Sequence, residues 1–136
     1  MAPKPPTVID LTWTGDLAFV ATTSQSTIAV DSGGASGTSP VELLGVALAG
    51  CMSVDLAHIL GRGRHAFRSL RSRLVAQRDT AQPHRFVAVS LHFAIEGDVP
   101  QEAVARAITL SRDKYCSVWH TLRQDIDLQV TFDVTP

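Results

Sequence analysis

The sequence predicts an α+β fold in a single domain, on three observations. Strand-like runs cluster near both ends of the chain, a long helical segment with clear start signals lies between them, and a second amphipathic helical stretch precedes a final alternating strand. The predicted order is three strands, a helix, two strands, helices and a strand. This segregates the two kinds of element instead of alternating them as a parallel βαβ fold does. At 136 residues, 45% hydrophobic and 18% charged, the composition is globular, and it fits one domain, 1–136, without internal repeats.

Pro3, Pro5 and Pro6 make residues 1–6 an expected flexible arm. Thr7–Trp13 is rich in β-formers, Gly15-Asp16 marks a turn, Leu17–Thr23 is β-rich again, and Thr27–Val30 adds a third short strand. The run Ser32-Gly33-Gly34-Ala35-Ser36-Gly37 is a loop. A long helix follows. Ser39 is its N-cap, Pro40 takes the first helical position, and Glu42 completes a capping box. Gly61 is the expected left-handed stop. The apolar residues between, from Leu43 to Leu60, fall on every face, so the helix is expected to be buried all round. Its length would permit a membrane span, but Glu42, Asp55 and His58 argue for a core helix.

Leu70–Gln77 alternates weakly, Asp79 to His84 supplies a turn, and Arg85–Ile95 alternates clearly through Val87, Val89, Leu91, Phe93 and Ile95. Pro100 opens an amphipathic helix with Val104, Ile108 and Ser111 on one side. Tyr115-Cys116-Ser117-Val118 interrupts or restarts it, a short helix runs through Arg123, and Ile126–Val134 is the last strand.

A net charge of -1 provides no field for nucleic acid or an acidic membrane, so neither is expected as a partner. Arg62, Arg64, Arg68, Arg71, Arg73, Arg78 and Arg85 nevertheless fall in one 24-residue stretch. That stretch is read as a solvated strand face, with an anion site or a source of charge for a thiolate as the alternative. No apolar run follows the charge at the N-terminus, which leads to an expected cytoplasmic location.

In a reducing compartment two cysteines are seldom a staple, so Cys51 and Cys116 are either buried free thiols or chemistry. Asp55 and His58 follow Cys51 by four and seven residues, on one helical face. Cys51 and His58 are about 10 Å apart along the axis and do not form a nucleophile–base pair, whereas Asp55 and His58 can pair with each other. Gly45, Ala47, Ala49 and Gly50 allow close approach to Cys51. Cys116, at an apparent helix break, would have its pKa lowered if it opened the short final helix. Cys51, Cys116, His58 and His120 make a nominal Cys2His2 set, but their spacing matches no zinc pattern. The chain also lacks GxSxG, P-loop and dinucleotide fingerprints, so no metal and no cofactor are expected.

Ser39-Pro40-Val41-Glu42-Leu43-Leu44, Ala49-Gly50-Cys51, Val54-Asp55 and Ile59-Leu60 resemble the central helix of OsmC-like proteins. Lys114-Tyr115-Cys116-Ser117-Val118 resembles their second cysteine motif, and the similarity takes in Trp13 and Leu17–Asp31. Within the OsmC/Ohr family the chain is more similar to the YhfA-like branch than to the organic hydroperoxide resistance proteins. The resemblance implies an OsmC-like fold: curved antiparallel sheets around a buried central helix, in an intertwined homodimer. It also implies a thiol-dependent peroxidase in oxidative-stress defence. Cys51 would attack an organic hydroperoxide or hydrogen peroxide, Cys116 would resolve the sulfenic acid as a disulfide, and a dithiol reductant would restore both. Glu42 is the remaining member of an acidic pair that, in the family's peroxidases, holds an arginine from the N-terminal strands. Val41 occupies the other position, and no arginine precedes Arg62. Lys114 or one of Arg62–Arg85 is left to supply the charge. The alternative is a non-catalytic dimer of the same fold that senses redox state or binds a small ligand.

Overall fold

The structure, a computed structural model, describes residues 2–136. It divides into two compact units, one ending at Leu44 and the other spanning Gly45–Pro136.

The first unit is built on an antiparallel meander of β1 (Asp10–Gly15), β2 (Ala18–Thr22) and β3 (Thr27–Asp31). β1 starts at Asp10 rather than at Thr7. The ladder ends where Asp10 faces Thr22, the last residue of β2, so earlier residues have no strand to pair with. Met1, part of the expected arm, lies outside the described residues, and residues 2–9 carry no helix or strand. The turn falls at Gly15-Asp16 as expected, both with positive φ (130° and 46°). The buried Asp31 carboxylate organises the Gly/Ser loop by accepting hydrogen bonds from the Gly33 and Ser36 amides and the Ser36 hydroxyl, at 2.8, 3.0 and 2.9 Å.

α1 (Pro40–Arg62) starts on the capping box. The Glu42 amide donates to Ser39 Oγ (3.2 Å), and the Ser39 amide donates back to Glu42 Oε1 (3.1 Å). The helix does not stop at Gly61. The left-handed residue is Arg64 (φ 60°); its amide donates to the Gly61 carbonyl and that of His65 to the Leu60 carbonyl, each at 3.0 Å. This is a Schellman cap with arginine where glycine is usual.

In the second unit β4 (Phe67–Arg78) pairs antiparallel with β5 (Phe86–Gly97). β5 buries Val89, Leu91, Phe93 and Ile95, as its alternation predicted. β6 (Asp127–Thr135) lies on the other side of β5 and runs parallel to it. The expectation of antiparallel sheets therefore holds for every pair but this one. A parallel pairing requires a long crossover, and α2 (Gln101–Leu110), a π-helical turn (Ser111–Tyr115) and α3 (Ser117–Thr121) provide it.

Within this unit α1 buries a stripe of Gly45, Leu48, Met52, Leu56 and Leu60, at helical spacing. The stripe faces β4: a Cβ on Gly45 would lie 3.5 Å from Leu74, and the Ser53 and Ser72 hydroxyls bond at 3.0 Å. Leu48, Met52, Leu56 and Leu60 are 0–1% exposed, each worth about 1.5–3 kcal/mol of burial. The opposite face is open, with Val46 63% and Val54 67% exposed. α1 is long and apolar enough by length and composition to cross a membrane, yet the chain packs it as a sheet-backed helix. In a single chain, then, it is covered on one side rather than all round. The basic stretch is mostly strand face, as read: Arg71 and Arg73 are exposed on β4, and Arg85 bonds the Phe86 carbonyl (3.0 Å) and pairs with Asp125 (3.5 Å).

The left-handed Arg64 generates a stability prediction. Removing its Cβ relieves strain of about 1 kcal/mol, so Arg64→Gly is expected to raise Tm by a few degrees in thermal unfolding. Arg64→Ala, which keeps the Cβ, is expected to leave Tm near wild type.

Candidate active site

The site arises where the buried stripe of α2 meets α1. Val104, Ala107 and Ile108 face the core, and the same stripe continues to Ser111, a fully buried polar residue. A buried hydroxyl needs a partner. Ser111 Oγ donates to Asp55 Oδ2 of α1 at 2.7 Å. The backbone widens there into the π-helical turn, closed by the Cys116 amide donating to the Ser111 carbonyl at 2.8 Å. Cys116 then leaves the helical region (φ -71°, ψ 99°) and caps α3, its sulfur accepting from the Trp119 amide at 3.3 Å.

This brings the two cysteines together as free thiols, Cys51 half-buried and Cys116 fully buried. The sulfurs of Cys51 and Cys116 and a carboxylate oxygen of Asp55 all lie within 4.8 Å of one another. Closure to a disulfide, with its S–S length of about 2.05 Å, requires a side-chain adjustment of no more than about 3 Å.

The expected lowering of the Cys116 pKa does not occur. Burial pushes the thiol up to about 11 from 9.0; the Trp119 amide pulls it down, but the neighbouring Cys51 and the Asp55 charge push it further up. Desolvation of a fully covered sulfur outweighs one amide hydrogen bond from a five-residue helix.

Asp55 binds Ser111 rather than pairing with His58. Asp55 and His58 instead line a common cavity of about 570 Å³ with Ile59, Arg62, Leu110 and Tyr115. His120 is not part of the cluster, since its Nε2 bonds the Arg112 carbonyl at 2.9 Å. Glu42 accepts from the Ser39 amide and hydroxyl, and both bonds hold its carboxyl below the usual range. Among the candidate cations, the Lys114 ammonium lies 5.3 Å over the Tyr115 ring and Arg62 lines the cavity; Arg112, not among those candidates, lies 6.0 Å over the Trp119 ring. Among the described residues no lysine or arginine forms an ion pair with Asp55. Sequence reasoning singled out both cysteines and put Asp55 on the Cys51 face, but it missed Ser111 as a site residue. Its signal was a hydroxyl on the otherwise apolar stripe of α2.

A half-buried thiol against a second, fully buried one, on an α+β scaffold with a long apolar helix, defines a two-cysteine thiol protein. The chain belongs to the OsmC family: the model for OsmC-like proteins matches residues 33–131. It is 33% identical over 125 residues to Protein YhfA of Escherichia coli (strain K12), covering 90% of this chain and 93% of that one. A crystal structure of a hypothetical protein from Aquifex aeolicus is 26% identical, with a TM-score of 0.91 over 97% of this chain and 98% of that one. The fold is shared with an organic hydroperoxide resistance protein OsmC from Legionella pneumophila, described as a predicted redox protein (14% identity, TM-score 0.72, 98% of this chain and 100% of that one).

The raised Cys116 pKa carries a sign. The folded state holds the proton more tightly than the unfolded chain, so this contribution to stability is complete below pH 9.0 and is lost as pH rises through about 11. Denaturant unfolding from pH 8 to 11.5 is expected to show a steeper loss of stability in wild type than in Cys116→Ala.

Proposed function

We propose that the protein is a thiol-dependent peroxidase of the oxidative-stress defence, acting in the cytoplasm on organic hydroperoxides or hydrogen peroxide. The observation that carries this reading is the pair of free thiols with sulfurs within 4.8 Å, one half-buried and one fully buried. Support also comes from family membership and from the shared fold of the hydroperoxide resistance protein.

The asymmetry of the pair supports a division of roles. With a pKa near 11, Cys116 is ionised in only about one molecule in ten thousand at pH 7, which favours Cys51 as the attacking thiol in this proposal. The Cys51 thiolate attacks the O–O bond; the sulfur takes the hydroxyl as a sulfenic acid, and the alkoxide leaves and is protonated. Cys116 then attacks the Cys51 sulfur, its thiol proton joins the departing hydroxide as water, and the disulfide forms. A dithiol reductant exchanges with the disulfide and restores both thiols. Glu42 is kept in this proposal only as the carboxylate that the family resemblance singles out; Ser39 engages its Oε1.

The working form in this proposal is a homodimer, with the two units of each chain acting as one OsmC-like domain, 1–136. Its motive is exposed apolar surface: Val46 and Val54 on α1, and Leu11, Trp13, Phe19 and Ile28 on the β1–β3 sheet.

Two outcomes are expected. With a dithiol reductant the purified protein consumes cumene hydroperoxide or hydrogen peroxide; Cys51→Ser abolishes turnover, and Cys116→Ser leaves one equivalent reduced without sustained cycling. No turnover in wild type, with both thiols intact, would instead favour a redox-sensing or ligand-binding dimer. Light scattering is expected to give twice the 14.6 kDa chain mass. Val54→Glu, which puts a charge on the open face of α1, is expected to shift the population toward the monomer, and a wild-type monomer would refute the assembly.

A further inference from the structure

The Cys51–Asp55–Cys116 cluster has a second chemical capacity. Two sulfurs and a carboxylate oxygen lie mutually within 4.8 Å, which is a convergent set of three donors. With Zn–S distances of about 2.3 Å and tetrahedral angles, two coordinating sulfurs stand about 3.8 Å apart, so binding requires closure by roughly 1 Å or less. The carboxylate is already oriented: Ser111 occupies Oδ2, leaving Oδ1 to turn to a ligand. A fixed hydrogen bond to the distal atom of a ligating group is the usual support of a metal ligand. Among the described residues no lysine or arginine forms an ion pair with Asp55, although Arg62 lines the same cavity. The carboxylate also lines the cavity of about 570 Å³, which neither cysteine lines, so of the three donors only Asp55 borders that space.

We propose that Cys51, Cys116 and Asp55 form a three-ligand site for a thiophilic divalent cation of the zinc type, with water as fourth ligand. Two thiolates select such a cation over magnesium or calcium. Binding converts two thiols to two thiolates and releases two protons, which reverses the preference of buried Cys116 for its protonated form. The donors are Cys2Asp, not the Cys2His2 set that the sequence offered: His120 is engaged by the Arg112 carbonyl, and His58 lies outside the cluster. A bound cation ties up the sulfur lone pairs, so the site accepts either metal or peroxide. The proposal does not rest on the peroxidase reading, because binding is measured with neither peroxide nor reductant turnover present.

The test is anaerobic titration of the reduced protein with Cd²⁺, followed by its thiolate-to-metal charge-transfer absorption, and with Zn²⁺ against a chromophoric chelator. One equivalent per chain, with release of about two protons at pH 7, is expected. Cys51→Ser and Cys116→Ser should remove the charge-transfer band, Asp55→Asn should weaken Zn²⁺ at least tenfold, and Ser111→Ala about tenfold. Cys51 is half-buried, so Cys51→Ser decides the matter if Cys116→Ser does not fold. No band in folded wild type, or undiminished Zn²⁺ affinity in Cys51→Ser, would overturn the site.

Discussion

The geometry of the site depends on one hydrogen bond, from the fully buried Ser111 to Asp55 at 2.7 Å. A buried hydroxyl without a partner costs about 1–3 kcal/mol, so the bond is close to obligatory once α2 places Ser111 in the core. It ties the end of α2 to the middle of α1. The backbone stays helical at Ser111, widens into the π-helical turn from Ser111 to Tyr115, and leaves the helical region only at Cys116. Cys116 is the first residue beyond that turn, and its position beside Cys51 follows from the tie. The carboxylate that anchors the turn also adds the smallest of the pushes that, led by burial, keep Cys116 protonated.

Burial distinguishes the two thiols. A fully covered sulfur loses the solvent that would stabilise its anion, and a single amide bond from Trp119 does not compensate. Cys51, at the edge of the α1 stripe, is only half-covered. The helix that carries it is stabilised mainly by packing. Four core side chains at about 1.5–3 kcal/mol each outweigh a capping box worth about 1 kcal/mol. Small changes at the capped end thus leave the packed stripe beside Cys51 intact.

Much of this was legible in the residues. The capping box at Ser39 and Glu42, the alternation of β5, the helix break at Cys116 and the shared face of Cys51 and Asp55 are all local patterns, and local patterns survive folding. What was not legible depended on distant partners. The Schellman cap moved to Arg64 because the helix runs one residue past the glycine that offers a stop, before the chain turns into β4. The parallel pairing of β6 is a property of the crossover, and alternation in β6 reads the same in either direction. His58 looked like the partner of Asp55 because it is its neighbour on the helix. Ser111, 56 residues away in sequence, takes that role through tertiary packing.

The apolar residues of α1 tie the cysteine site to the surface around it. A helix apolar on every face has no stable arrangement in water unless every face is covered. The chain itself covers the stripe from Gly45 to Leu60 and leaves Val46 and Val54 in solvent. Those residues lie on the same helix as Cys51, and Cys51 is itself only half-covered. Whatever covers the open face also changes how much water reaches that sulfur. Exposure of Cys51 is therefore coupled to occupancy of the α1 face, and both originate in one sequence feature: a run of apolar residues too complete for one sheet to bury.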